Sequence, residues 1–138
     1  MSFANIYDIA GSSMGAQTLR LNTIASNLAN ADSAAASPEQ AYKAVKPIFQ
    51  AVYRQDNGNP NPAASVAIKD LVTVKGEADM RFEPNHPLAN DDGFVAYANV
   101  DTMVEMADMM AASQSFEASV NVMNRARSMQ QTLLKLGV

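Results

Sequence analysis

Residues suited to chemistry are few and scattered in this chain. His86 is the one histidine among 138 residues, and Asp91 and Asp92 follow it closely. An imidazole beside carboxylates is the raw material of a metal site or an acid–base pair. Here it lies in Asn85-His86-Pro87, a turn-forming run, with no second histidine and no cysteine to complete a ligand set. The turn reading is therefore preferred, and a lone histidine supports no Ser-His-Asp triad. Gly11-Ser-Ser-Met-Gly15 has the glycines of a phosphate cradle but neither the Lys-Ser/Thr ending nor a strand before it. Nine methionines supply flexible thioethers, which more often fill cores and interfaces than bind a metal. We expect no enzyme, no cofactor and no metal.

The most specific polar set is Asn22, Ser26, Asn27 and Asn30, interleaved with Leu21, Ala25, Leu28 and Ala29. One reading is a solvated helix face that frays near Ala31. The sharper one is that short amides and hydroxyls bond between helices and set their register. The element that carries them spans residues 1–31. Phe3, Tyr7, Ala10, Met14, Leu21, Ile24, Leu28 and Ala31 recur at steps of four and three, with Gln17 the one polar interruption. That spacing predicts one long helix with a continuous seam for a partner helix. Gly11 and Gly15, four apart, share a face that lets another backbone come close.

A second helix is predicted over 101–136, capped by Asp101, with Glu105 in its first turn and Gly137 as its stop. Its expected stripe is Met103, Met106, Met110, Phe116, Val120, Met123, Met129, Leu133 and Leu136, adjoining Val100, widened by Val104, Met109 and Val122. Residues 32–38 read as a linker. Segments 42–53, 65–74, 80–82 and 94–100 read as strands of a small antiparallel unit. Pro47 places the first at an edge or a bulge, and Asn57-Gly58 signals a hairpin turn. The fold class is thus mainly α with a small β insertion. Two long terminal helices pair as an antiparallel coiled-coil-like hairpin, dividing the chain into 1–31, 32–100 and 101–138.

Charge is unevenly placed. Residues 1–31 hold only Asp8 and Arg20, and 106–124 only Asp108 and Glu117, whereas 32–100 hold nine acids and six bases. A surface helix of a soluble monomer normally shows water a strongly charged face. A pair packed only on each other would still leave more than half of each surface wet. The deficit therefore points to an assembly in which several chains shield one another. The net charge of −4 gives no electrostatic reason to expect nucleic acid. No apolar run is long enough to span a membrane, and the N-terminus does not read as a cleaved secretory leader.

Arg20-Leu-Asn-Thr-Ile-Ala-Ser-Asn-Leu-Ala-Asn-Ala31 resembles the N-terminal motif of rod, hook and hook-associated proteins of the bacterial flagellum. Asn5-Ile-Tyr-Asp-Ile-Ala-Gly-Ser12, Pro87-Leu-Ala-Asn-Asp-Asp-Gly-Phe-Val95, and Asn99-Val-Asp101 with Glu105-Met106 narrow the resemblance to the proximal-rod proteins. Gln114, Phe116 and Ser119 depart from the Arg, Tyr and Asn common there, so helix packing carries over but particular polar contacts do not. The resemblance implies a structural subunit of the proximal rod, exported unfolded by the flagellar type III apparatus without a cleaved signal. It would polymerise helically through its terminal helices, forming a drive shaft that crosses the periplasm, transmits torque and encloses the export channel. The β unit would project outward. Implied neighbours are copies of itself, the rod proteins FlgB, FlgF and FlgG, and the adaptor FliE. The alternative is a helical-hairpin module that binds one partner and does not polymerise.

Overall fold

Two long helices set the frame. The computed structural model describes residues 3–54 and 63–137. Helix α1 (Phe3–Ala29) and helix α2 (Thr102–Lys135) enclose five strands: β1 (Ala34–Ala35), β2 (Val45–Arg54), β3 (Ala63–Thr73), β4 (Asp79–Phe82) and β5 (Phe94–Tyr97).

The helices pair antiparallel. Tyr7 Oη donates to Gln130 Oε1 at 3.3 Å, Ser119 Oγ to Ser13 Oγ at 3.1 Å, and Arg20 Nη2 to Asp108 Oδ1 at 2.9 Å, so rising numbers in α1 meet falling numbers in α2. Helix α1 stops two residues before Ala31 because local side chains offer its last carbonyls other partners. Asn30 Nδ2 donates to Ser26 O at 2.8 Å, and Ser33 Oγ donates to Asn30 O at 2.8 Å. Helix α2 opens as expected: Asp101 Oδ1 accepts from the amides of Met103 and Val104 at 2.9 and 3.1 Å. It closes before Gly137, whose φ of +72° no branched residue would adopt easily.

The β unit is two sheets rather than one. Strands β2 and β3 form an antiparallel hairpin, whose Asn57-Gly58 connection lies outside the described residues. The ladder slips between Ile48 and Phe49, where pairing passes from Asp70 to Ile68 and leaves Lys69 as the extra residue. This bulge sits one residue past Pro47, which cannot donate to a ladder. The second sheet runs β1-β5-β4, so part of the predicted linker is in fact a short edge strand, Ala34 pairing with Tyr97. The β4–β5 turn is drawn tight by Asn90 Oδ1, which accepts from Asp92 N and Phe94 N at 3.1 and 2.8 Å.

The β2–β3 hairpin lies along α1. Its base is held by Asn27 near the end of α1, and Val66 N donates to Ser12 Oγ at 3.1 Å a few turns earlier. About six residues of strand at 3.3 Å each cover the same length as fifteen of helix at 1.5 Å, so the two elements run in step.

The interior is built mainly from alanine. Ala10, Ala16, Ala31, Ala41, Ala44, Ala96, Ala98, Ala112 and Ala126 are buried, with Ile24 and Val95 the larger apolar members. Small side chains let the helices approach closely but bury little area each. Large apolar residues are turned outward instead, among them Met103 at 76 % exposure, Met110 at 63 % and Phe82 at 65 %.

Candidate assembly interface

The site begins at Asn27, whose side chain is wholly buried. Its Nδ2 donates to Val45 O at 3.0 Å and to Glu105 Oε2 at 3.2 Å. Its Oδ1 accepts from Val45 N at 2.9 Å and Tyr42 Oη at 3.0 Å. All four hydrogen-bonding positions of the amide are filled, and one side chain joins α1, α2 and the first residue of β2. Glu105, 3 % exposed, shares Lys46 Nζ with Asp108, at 3.6 and 3.4 Å, and Asp108 also receives Arg20. Burying a carboxylate is tolerable when a donor and a cation meet it. The Arg20–Asp108 pair is about a third exposed on both sides, so it adds at most about 1 kcal/mol.

Arg20, Tyr42, Lys46, Glu105 and Asp108 are the contributors that sequence reasoning missed in this junction. A sequence signal did exist: Arg20 and Asp108 are among the few charges on otherwise uncharged helices. Asn27 belonged to the polar set already singled out. Of its companions, Ser26 Oγ lies 3.3 Å from Tyr42 Oη, Asn30 serves the helix stop, and Asn22 is exposed.

Of the α1 seam, Tyr7 reaches α2 at Gln130, while the other hydrogen bonds to α2 come from Ser13, Arg20 and Asn27 beside it. Ala10 and Ile24 are buried, while Phe3, Tyr7, Met14, Gln17, Leu21 and Leu28 are half-buried. Gln17 Oε1 is shielded from water with no partner among the described residues.

On α2 the inward line is Glu105, Met109, Ala112, Phe116, Ser119, Met123 and Ala126, alternating four and three, with Val120 half-buried beside it. Met103, Met106, Met110, Met129, Leu133 and Leu136 are all exposed by 40 % or more. Val100 is half-buried ahead of the helix. A reading that weights side-chain size follows the methionines, whereas close helix contact favours the alanines. Gly11 and Gly15 also face outward, and a Cβ built on either meets nothing within 4 Å. No described residue of the chain covers them.

His86 serves its turn: its Nδ1 accepts from Leu88 N at 3.1 Å. No helix among the described residues is long and apolar enough to cross a membrane. Tyr97, half-buried and donating to Glu83 Oε2 at 3.1 Å, has its phenol pushed above the ordinary value, first by desolvation and then by that carboxylate.

Two family profiles match: Flagella basal body rod protein over residues 8–34, and Flagellar basal body rod FlgEFG protein C-terminal over residues 91–136. They fall on the two helices and the approach to α2. The flagellar basal-body rod protein FlgC of Escherichia coli O6:H1 is 41 % identical over 138 residues, 99 % of each chain. That of Salmonella typhimurium is 39 % identical over 137 residues, again 99 % of each. The FlgC of Aquifex aeolicus is 34 % identical over 120 residues, 87 % of this chain and 86 % of that one. With relatives matched from end to end and the framing helices covered by rod-protein profiles, the chain belongs to the flagellar basal-body rod protein FlgC family, structural subunits of the flagellar rod.

Proposed function

We propose that this subunit polymerises helically through its terminal helices as part of the proximal rod, a drive shaft that transmits torque and encloses the export channel. The observation that supports it most is the inverted burial: alanines fill the interior while methionines, valines and leucines of α2 face outward. Apolar surface on this scale marks an interaction site. Neighbouring copies, and FlgB, FlgF, FlgG and FliE, are the partners that would cover it. Residues 1–31 and 101–138 act as the packing core. The chain travels unfolded through the flagellar type III apparatus and takes its place in the rod crossing the periplasm, without catalysing a reaction. Load is shared among many small van der Waals contacts, and heterologous contacts that do not close a ring give an open helical array.

The test places a charge on the outward face. Met106→Asp and Met110→Asp alter residues 53 % and 63 % exposed, so the isolated chain should keep its stability while rod assembly and motility are lost. Ile24, buried at 4 % exposure, would be a poor choice because charge there also unfolds the chain. Retained motility in both variants would count against the proposal. A stable one-to-one complex with a single partner, and no polymer, would favour the binding-module reading.

A further inference from the structure

Two exposed lines of the helix pair match each other. On α1, Asp8, Gly11, Gly15, Thr18, Asn22, Ala25 and Ala29 recur at steps of three and four, and every one is exposed. This line is the α1 seam displaced by one residue, about 100° round the helix at 100° per residue. On α2, Val104, Ala107, Ala111, Ser115, Ala118, Val122 and Arg125 form a second exposed line, about 115° from its own seam. Because the helices are antiparallel, the two lines fall on opposite flanks of the pair.

Now let a second copy stand beside the first at equal height, so that α2 of one meets α1 of the next. The heights are set by contacts within the chain, such as Ser13 with Ser119 and Asn27 with Glu105. Asp8 then faces Arg125, Gly11 faces Val122, Gly15 faces Ala118, Thr18 faces Ser115, Asn22 faces Ala111 and Ala29 faces Val104. The acid of one line meets the cation of the other. The larger Val122, 49 % exposed, sits over a glycine whose missing Cβ leaves open space. Among the described residues neither Asp8 nor Arg125 makes an ion pair within the chain. A slip of one heptad breaks the match, setting Arg125 over Gly15 or beyond the start of α1, and Asp8 opposite Thr132 or Ala118.

Resting on the rod-subunit reading, we propose that the partner of the Asp8–Ala29 face is the Val104–Arg125 face of a second copy, in this register. Such a contact is heterologous and joins opposite flanks, so each copy keeps a free face for a further copy on either side. It also gives Gly11 and Gly15 a role that nothing inside the chain supplies.

The chain contains no cysteine, so introduced thiols report without background. Gly15→Cys in one copy and Ala118→Cys in another, produced together, should form a disulfide-linked dimer on oxidation of isolated basal bodies. Neither variant alone should, nor should Gly15→Cys paired with Met110→Cys on the far side of α2. Asp8→Arg and Arg125→Asp should each lower incorporation about tenfold through like-charge contact, and the double variant should return to within about twofold of the original. Absence of the dimer, an equal dimer from the control pair, unimpaired single variants, or a double variant as poor as the singles would overturn this register while the subunit still enters basal bodies. Absence of the unaltered chain from basal bodies would overturn the rod reading and this inference together.

Discussion

Asn27 and Glu105 meet at 3.2 Å across 78 residues of sequence, the most buried polar pair among the described residues. The same amide also grips both backbone groups of Val45, tying the start of β2 to the two helices.

Truncating Asn27→Ala should lower unfolding free energy by about 3 kcal/mol, because it strands Glu105, Val45 and Tyr42 at once. Tyr42→Phe removes a single donor and should lower it by only about 1 kcal/mol. Urea denaturation of the isolated chain checks the ranking; equal effects would mean that Asn27 acts as one ordinary hydrogen bond.

The glycines should divide by environment. Gly93 has φ +81°, and an added Cβ would come within 2.9 Å of Phe82 Cε2 and 3.3 Å of Pro84 Cβ. Gly93→Ala should therefore destabilise by about 1–3 kcal/mol. Gly11→Ala, helical and open, should stabilise the isolated chain by up to about 1 kcal/mol. Thermal melts of the two variants should shift in opposite directions.

Removing the cap of α2 should be felt at that helix's start. Asp101→Ala frees the amides of Met103 and Val104 and should lower stability by about 1 kcal/mol, with Asp101→Asn close to unchanged. Hydrogen exchange should show faster exchange at those two amides in the alanine variant alone.

Tyr97 links stability to alkaline pH. Its phenol is raised above 10.0 by desolvation first and by Glu83 second, opposed by Arg81, whose guanidinium lies 4.4 Å from the ring centre. A raised value means folding favours the protonated form. Its contribution is complete below the ordinary tyrosine value and fades as pH climbs through the folded one. Tyr97→Phe should thus lose less stability than the original chain as pH rises past about 10, and its ultraviolet titration should show one phenolate fewer.

Much of the architecture is legible from periodicity. The four-three spacing of α1, the Asp101 cap and the Gly137 stop each act within a few residues, so a local pattern is enough to find them. What escaped depends on distance. The pairing of Ala34 with Tyr97 involves a two-residue strand with no period of its own. The hairpin's course along α1 turns on Ser12 and Val66, which no local rule brings together. The inward line of α2 was obscured for another reason: Ala112 and Ala126 carry the contact, and methionines beside them have the stronger apolar signature. The family relationship was legible from the motif ending at Ala31, whereas Arg20, Lys46 and Asp108 needed the fold to become one cluster.

The ribbon of β2 and β3 is fastened at its root by Asn27 and again along its length by Ser12. An element tethered at two levels cannot swivel about either one. A sideways push on it is handed to α1 as a bending load, and through Glu105 to α2, so the three brace one another like a strut nailed twice to a beam.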